Sequence, residues 1–187
     1  MEVRRVLAGF DRPWWIAGGW ALDMFLGRKT REHADLDVEL LRSDQLAVQS
    51  HLQRAWELHL ARDGVLSSWP AGEPAPPDTT DVWCRPAGGG SWAFQLMLNP
   101  GTPDRWASKR SPRIGLPMGV AVRRTGDGIP YLAPEAQLLM KAAGRRPKDE
   151  ADLDEVLPAL DEGQRAWLRD ALAHAHPGHP WSERIRG

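Results

Sequence analysis

The stretch Pro13-Trp14-Trp15-Ile16-Ala17-Gly18-Gly19-Trp20, followed further on by Asp35-Leu36-Asp37-Val38-Glu39-Leu40, decides how this chain is read. Pro13 to Ala17 is a short apolar run, the pattern of a buried strand, and Gly18-Gly19 ends it. Trp20 to Leu26 reads as a short helix stopped by Gly27. From Asp35 to Leu40 acids and aliphatics alternate strictly. A period of two gives a strand with one apolar and one carboxylate face, and places Asp35 and Asp37 on the same side, roughly 6–7 Å apart. Two carboxylates at that spacing repel unless a cation lies between them, and a hard divalent ion such as Mg²⁺ serves with oxygen ligands. Glu39 extends the row. The same alternation also suits a sheet face covered by water. Gly18 and Gly19 offer amides with no Cβ before them at the start of a helix, which fits a phosphate or simply a tight turn. Arg28, Lys29, Arg31 and His33 lie between the two motifs, as counter-charge for a triphosphate or as a solvated loop.

Working outward, Ser43 or Asp44 caps a helix running to about Arg54, and Trp56 to Leu60 alternates as a strand. Trp69 to Asp78 holds Pro70, Pro74, Pro76 and Pro77 and is a loop. Thr80–Arg85 and Trp92–Leu98 flank a glycine-rich turn and read as a hairpin. A weak strand lies between Met118 and Arg124. After Pro130 the pattern turns helical: one helix from Pro134 to Gly144, one from Asp149 to Leu157, and one capped by Asp161. The tail from His174 is rich in His, Pro and Gly and is expected on the surface. Its string His174, His176, His179 fits Zn²⁺ or a plain surface segment. This order gives an α+β fold in one compact unit, with an α/β part over 1–130 and a helical part over 131–187.

Composition narrows the function. There are 24 basic and 25 acidic residues, a net charge of −1, so bulk charge gives no footprint for long nucleic acid or an anionic membrane. A single cysteine, Cys84, excludes an intramolecular disulfide and a multi-cysteine metal site, and fits a reducing cytoplasm. No run of about 18 apolar residues occurs, and Asp11, Arg12 and Pro13 break the N-terminal apolar stretch, so neither a membrane span nor a signal peptide is read. The 10 tryptophans call for large aromatic packing sites, with Trp69, Trp83, Trp92 and Trp106 as candidates for lining an acceptor cleft.

Strand, Gly-Gly, short helix, basic loop and Asp-x-Asp strand, in that order, resemble the nucleotidyltransferases of the aminoglycoside 2″-adenylyltransferase and lincosamide nucleotidyltransferase group, in the DNA polymerase β-like superfamily. The resemblance is dense over residues 14–41. A second stretch, Ala133-Pro134-Glu135, Leu138-Leu139, Lys141-Ala142 and Arg146 to Asp152, is similar to the C-terminal helical motif of related small nucleotidyltransferases. Residues 55–130 match by expected topology alone. The resemblance implies a polymerase β-like fold, a mixed sheet with C-terminal helices. It implies a cytoplasmic, Mg²⁺-dependent enzyme moving a nucleoside monophosphate, AMP foremost, from NTP to a hydroxyl of a small molecule such as an aminoglycoside or lincosamide antibiotic. Asp35 and Asp37 would be catalytic and bind the metal. Gly18, Gly19, Arg31, His33 and Lys141 would hold the nucleotide. Asp149 and Asp152 would organise the helical part or touch the nucleotide, with a helix-capping role for Asp149 equally open, and Asp23 would cap or pair locally, with Arg28 or Arg31 as partners.

Two positions depart from the family pattern. Trp20 stands where a small residue is usual, as the aminoglycoside and lincosamide enzymes tolerate. The third carboxylate is missing: the strand Trp92–Asn99 carries Gln95, Met97 and Asn99 and no acid, leaving Asp81 or Glu39 as candidates. A toxin-like enzyme acting on tRNA or protein is the alternative, with Lys109, Arg110, Arg113, Arg123 and Arg124 as a basic rim. A nucleotide-binding module without transferase activity is a further one.

Overall fold

Apolar alternation builds the sheet around which the chain folds. The computed structural model describes residues 3–186. A helical turn, α1 (Val3–Val6), precedes β1 (Trp14–Ile16), α2 (Gly18–Leu26), β2 (Asp37–Leu41) and α3 (Gln45–Leu52). Then come β3 (Trp56–Arg62), β4 (Val65–Ser68), β5 (Asp81–Pro86), β6 (Phe94–Asn99), β7 (Arg105–Ala107) and β8 (Gly115–Pro117). The short α4 (Met118–Ala121), β9 (Val122–Arg124) and β10 (Pro130–Leu132) lead to α5 (Pro134–Ala142), α6 (Pro147–Val156), α7 (Glu162–Ala175) and α8 (Trp181–Arg184). Eight strands form one mixed sheet in the order β4-β3-β5-β6-β2-β1-β10-β9, and β7 and β8 pair separately. β2 runs antiparallel to β1 and parallel to β6.

One face of the sheet is core. Val38, Leu40, Leu58, Leu60, Val82, Cys84, Leu96 and Leu98 are buried there, in one cluster with Val48 and Leu52 of α3. The alternate residues, Asp37, Gln95, Met97, Asp81, Trp83 and His59, are only partly buried. Period two therefore sorts the aliphatic residues from the polar and aromatic ones, as a one-sided sheet requires. A second cluster, with Leu22, Leu138, Leu139, Leu153, Leu168 and Leu172, packs α2 against α5, α6 and α7. Asp161 caps α7: its carboxylate accepts the Gln164 amide at 2.8 Å while the Gln164 side chain accepts the Asp161 amide at 3.0 Å.

Several elements differ from the sequence expectation. β2 begins at Asp37, and Asp35 lies in the bend before it, although the Leu36 carbonyl already accepts the Gln95 amide of β6 at 2.9 Å. α2 opens at Gly18, so the glycine pair forms its first turn. β4 was not expected; Asp63 and Gly64, both at positive φ (51° and 77°), form the tight turn joining it to β3. The pair β7 and β8 was also unexpected, and the strand expected over 118–124 splits into α4 and β9. The division expected between residues 130 and 131 passes through β10, a strand of the main sheet. The tail lies on the surface over much of its length but is docked at its end: Trp181 is fully buried, its indole N–H donates to Glu150 at 2.9 Å, and His179 Nε2 lies 3.0 Å from the Ala142 carbonyl oxygen.

Trp181 therefore acts as a plug beneath α5 and α6. Trp181→Ala is expected to cost about 3–5 kcal/mol in urea unfolding, whereas His174→Ala, on an exposed position, stays within about 0.5 kcal/mol.

Candidate active site

Gly18 and Gly19 are held by close approach as much as by backbone conformation. Gly18 has φ 67°, and a Cβ there would sit 2.1 Å from Asp37 Oδ2. A Cβ on Gly19 would sit 2.3 Å from the His33 ring and 2.9 Å from Arg31. Only glycine leaves room for these three side chains. The Ala17 amide donates to the Asp37 carbonyl at 2.9 Å, fixing β1 to β2 at this point. Trp20, the departure from the family pattern, packs on His33 with ring centroids 4.9 Å apart. The Gly18 amide is not free for a phosphate: it donates to Gln137 Oε1 of α5 at 2.8 Å. The amides of Gly19 and Trp20, in the first turn of α2, have no acceptor among the described residues.

Asp37 meets the cavity almost undefended. No donor among the described residues bonds its carboxylate. Burial first, then the neighbouring Asp35, raise its pKa to about 6, against the opposing pull of Lys141 and Lys109. The cavity in front of it, about 180 Å³, is lined by Gly18, Asp37, Lys109, Arg110, Lys141 and Arg146 among others. Lys141 is 7% exposed and bonds Asp152 at 2.8 Å, with Asp149 at 3.6 Å.

Arg31 and His33, expected on the nucleotide, are turned to the protein instead. Arg31 forks onto Asp152 with bonds of 2.8 and 2.9 Å. His33 Nε2 lies 2.6 Å from Asp23 Oδ2, and the other Asp23 oxygen accepts the Thr30 amide and hydroxyl. Asp23 thus pins the basic loop through His33 and Thr30, not through Arg28 or Arg31. Buried carboxylates explain the difference: Asp152 and Asp23 are 3% and 6% exposed and need cations or donors close by. Asp149 is the N3 residue of α6, where it accepts the Arg146 amide at 3.1 Å and side chain at 2.8 Å.

Neither candidate for the third carboxylate is free. Asp81 sits opposite Met97 and accepts from Lys109 at 2.9 Å, Gln95 at 2.9 Å and Thr80 at 2.7 Å. Burial pushes its pKa up, but Lys109 and these donors outweigh it and hold it below the usual range. Glu39 is 2% exposed and accepts from the Trp15 and Trp106 indoles at 2.7 and 3.2 Å and from Asn99 at 3.0 Å. It ties β2, β1, β6 and β7 together beneath the cavity. Among the described residues no three His, Cys, Asp or Glu side chains gather to hold a metal, the tail histidines included. Asp35 stands close enough to Asp37 for its charge to raise the Asp37 pKa, and two neighbouring carboxylates are the oxygen donors a hard ion such as Mg²⁺ would take beside water and substrate phosphates. Cys84 is a buried thiol whose pKa burial pushes up, a packing residue and not a nucleophile.

The basic residues expected as one rim separate. Lys109 and Arg110 enter the cavity, Arg113 lines a depression beside Trp167, Arg124 lines one beside Trp14, and Arg123 points toward Glu135. These five residues therefore do not line one common depression among the described residues. Gln137 was not singled out from sequence; its spacing from Lys141, one helical turn on α5, was the available signal.

Asp37 carries a testable cost. Between about pH 4 and 6 the folded chain keeps a proton that an unfolded Asp with pKa 3.8 has released, so this group's share of stability falls as pH rises through that window. Asp37→Asn removes the penalty. Metal-free Asp37→Asn is expected to be more stable than wild type at pH 7, by at most about 3 kcal/mol, with the difference gone below about pH 4. Urea unfolding with EDTA at both pH values checks this; a variant less stable at pH 7 refutes it.

Comparison with known proteins divides along the same lines. The family model described as aminoglycoside-2″-adenylyltransferase matches residues 1–58. Curated 2″-aminoglycoside nucleotidyltransferases from Escherichia coli and Klebsiella pneumoniae are 49% identical over 39 residues, 19% of this chain and 22% of theirs. The match therefore spans about a fifth of the length of those relatives. The lincosamide antibiotic adenylyltransferase LnuA, solved with lincomycin, superposes with a TM-score of 0.54 at 16% identity, covering 82% of this chain and 91% of that one. ANT(2″)-Ia, solved with adenylyl-2″-tobramycin, gives 0.50 at 18% identity, covering 99% and 91%. At such identities the likeness is one of fold. The chain thus has the α+β nucleotidyltransferase fold, and its first 58 residues carry the sequence pattern of the aminoglycoside-2″-adenylyltransferases.

Proposed function

We propose that this chain is a nucleotidyltransferase that moves a nucleoside monophosphate, AMP foremost, from NTP to a hydroxyl of a small molecule, with antibiotics of the aminoglycoside or lincosamide type as the acceptor class. The observation that carries the reading is the Asp37 carboxylate lying against Gly18 at the head of α2, beside Asp35 and facing Lys109 and Lys141. The N-terminal family match supports it.

Asp35 and Asp37 would hold Mg²⁺, which when bound neutralises charge at the phosphoryl group being transferred. The chain supplies the rest. The first-turn amides of Gly19 and Trp20 and the positive end of α2 favour phosphate oxygens. Lys141, Arg146, Lys109 and Arg110 surround the cavity with positive charge, which suits a triphosphate and the pyrophosphate that leaves. Asp152 and Asp149 hold Lys141 in place, so its position costs no rearrangement when the nucleotide arrives. The acceptor hydroxyl attacks the α-phosphorus in line and loses its proton. Asp81, the carboxylate next along the sheet, is held by Lys109, and it gains basicity if that lysine turns to the triphosphate.

Label transfer from NTP, followed by mass in the presence of Mg²⁺, tests the reading. Asp37→Asn is expected to lower transfer by about 10²–10³-fold or more while remaining folded, and EDTA to stop it. Full activity in Asp37→Asn overturns the assignment.

A further inference from the structure

The partly exposed face of the sheet continues beyond Asp37. Cross-strand register places Asp37 opposite Gln95, Gln95 opposite Trp83, and Trp83 opposite His59. Directly paired residues project to the same face, so these side chains form one row across β2, β6, β5 and β3. At about 4.8 Å per strand, Trp83 lies about 10 Å from Asp37 and His59 about 14 Å. Trp92, in the connection between β5 and β6, folds over the far end of the row. Its ring centroid is 6.1 Å from Trp83 and 5.2 Å from His59, both edge-on. The Arg85 guanidinium stands 5.0 Å over it, and Glu57 in turn anchors Arg85 at 2.7 Å. Trp92 remains 36% exposed despite these partners. The result is a braced aromatic surface that runs toward the candidate active site.

Charge on this face selects against one kind of acceptor. Its carboxylates beyond Asp37 are already satisfied. Asp81 is engaged by Lys109, Gln95 and Thr80. Glu57 is engaged by Arg85 and the Gly88 amide. Lys109 and Arg110 add positive charge in the cavity beside Asp37. Beyond Asp37 a polycationic compound would find no unpaired carboxylate among the described residues of this face and would meet like charge at the cavity. A flat compound with an apolar face would find ring surfaces to stack on.

We infer that the β3–β5–β6 face is the acceptor platform, and that it takes a neutral or singly charged hydroxyl compound with a flat apolar face, stacked on Trp92 with Trp83 at its edge and its hydroxyl directed toward Asp37. This rests on the nucleotidyltransferase reading and narrows its acceptor class away from the polycationic aminoglycosides. The distance from Asp37 to Trp83 fits an acceptor of two linked rings.

The test uses the full chain, 4-nitrophenyl β-D-glucopyranoside as the neutral two-ring probe and tobramycin as the polycation. Equilibrium dialysis measures probe binding without turnover. The platform predicts that wild type binds the aryl glucoside, that Trp92→Ala weakens this about tenfold, and that Trp92→Phe restores most of it. In NTP and Mg²⁺ transfer assays, kcat/KM for the glucoside should exceed that for tobramycin, and Trp92→Ala should raise KM for the glucoside with NTP affinity unchanged. Unaltered probe binding in Trp92→Ala, or preference for tobramycin, overturns the platform. If the glucoside binds through Trp92 yet no acceptor is modified, the platform stands and the transferase reading fails.

Discussion

The contact between the Cα of Gly18 and the carboxylate of Asp37 governs this structure. It requires a residue without a Cβ at a positive φ, at the point where β1 turns into α2. It also requires β2 to enter the sheet beside β1 at that level, which the bond from the Ala17 amide to the Asp37 carbonyl secures. Gln137 then reaches from α5 to take the Gly18 amide. Three segments distant in sequence thus meet at one dipeptide.

Around that point the charges are arranged unequally. Asp152, Asp149 and Asp23 are buried and each is met by cations or hydrogen-bond donors. Such pairs contribute little net stability, because desolvation offsets their attraction, but leaving one partner alone would be costly. They fix geometry: Arg31 and Lys141 share Asp152, so the loop before β2 and the first C-terminal helix are held to the same carboxylate. Glu39 does the same beneath the cavity with neutral donors from Trp15, Trp106 and Asn99. Asp37, though largely buried, is left without a donor among the described residues, and its raised pKa reflects that. Natural sites accept local destabilisation of this kind where ligands are to bind.

What was legible in sequence is what short-range pattern controls. The Asp37–Leu41 strand, the helix after the glycines, the β5–β6 hairpin and the capping of α7 by Asp161 all follow from alternation or from end signals within a few residues. The glycine pair and the aspartates were identified by type and order, and they do come together. What was hidden depends on partners far along the chain. Nothing near Arg31 or His33 tells that Asp152 and Asp23 will claim them. Nothing near Glu39 tells that two indoles and an amide will surround it. β7 and β8, three residues each, are too short to carry a period. β4 is exposed along its whole length, so it lacks the apolar face on which a strand is recognised, although Asp63-Gly64 marked its turn. The tail misled because its prolines and glycines outweighed one tryptophan, and that tryptophan is the residue that docks it.

The bond from the Gly18 amide to Gln137 also limits how molecules enter and leave. Were the C-terminal helices to swing away from the sheet like a jaw, that bond would break together with the Arg31–Asp152 fork and the shared Leu22–Leu138 packing. Such a motion would dismantle the phosphate end of the cavity each time it opened. On the reading proposed above, substrates would therefore enter across the partly exposed side of the sheet and leave the joint between sheet and helices closed.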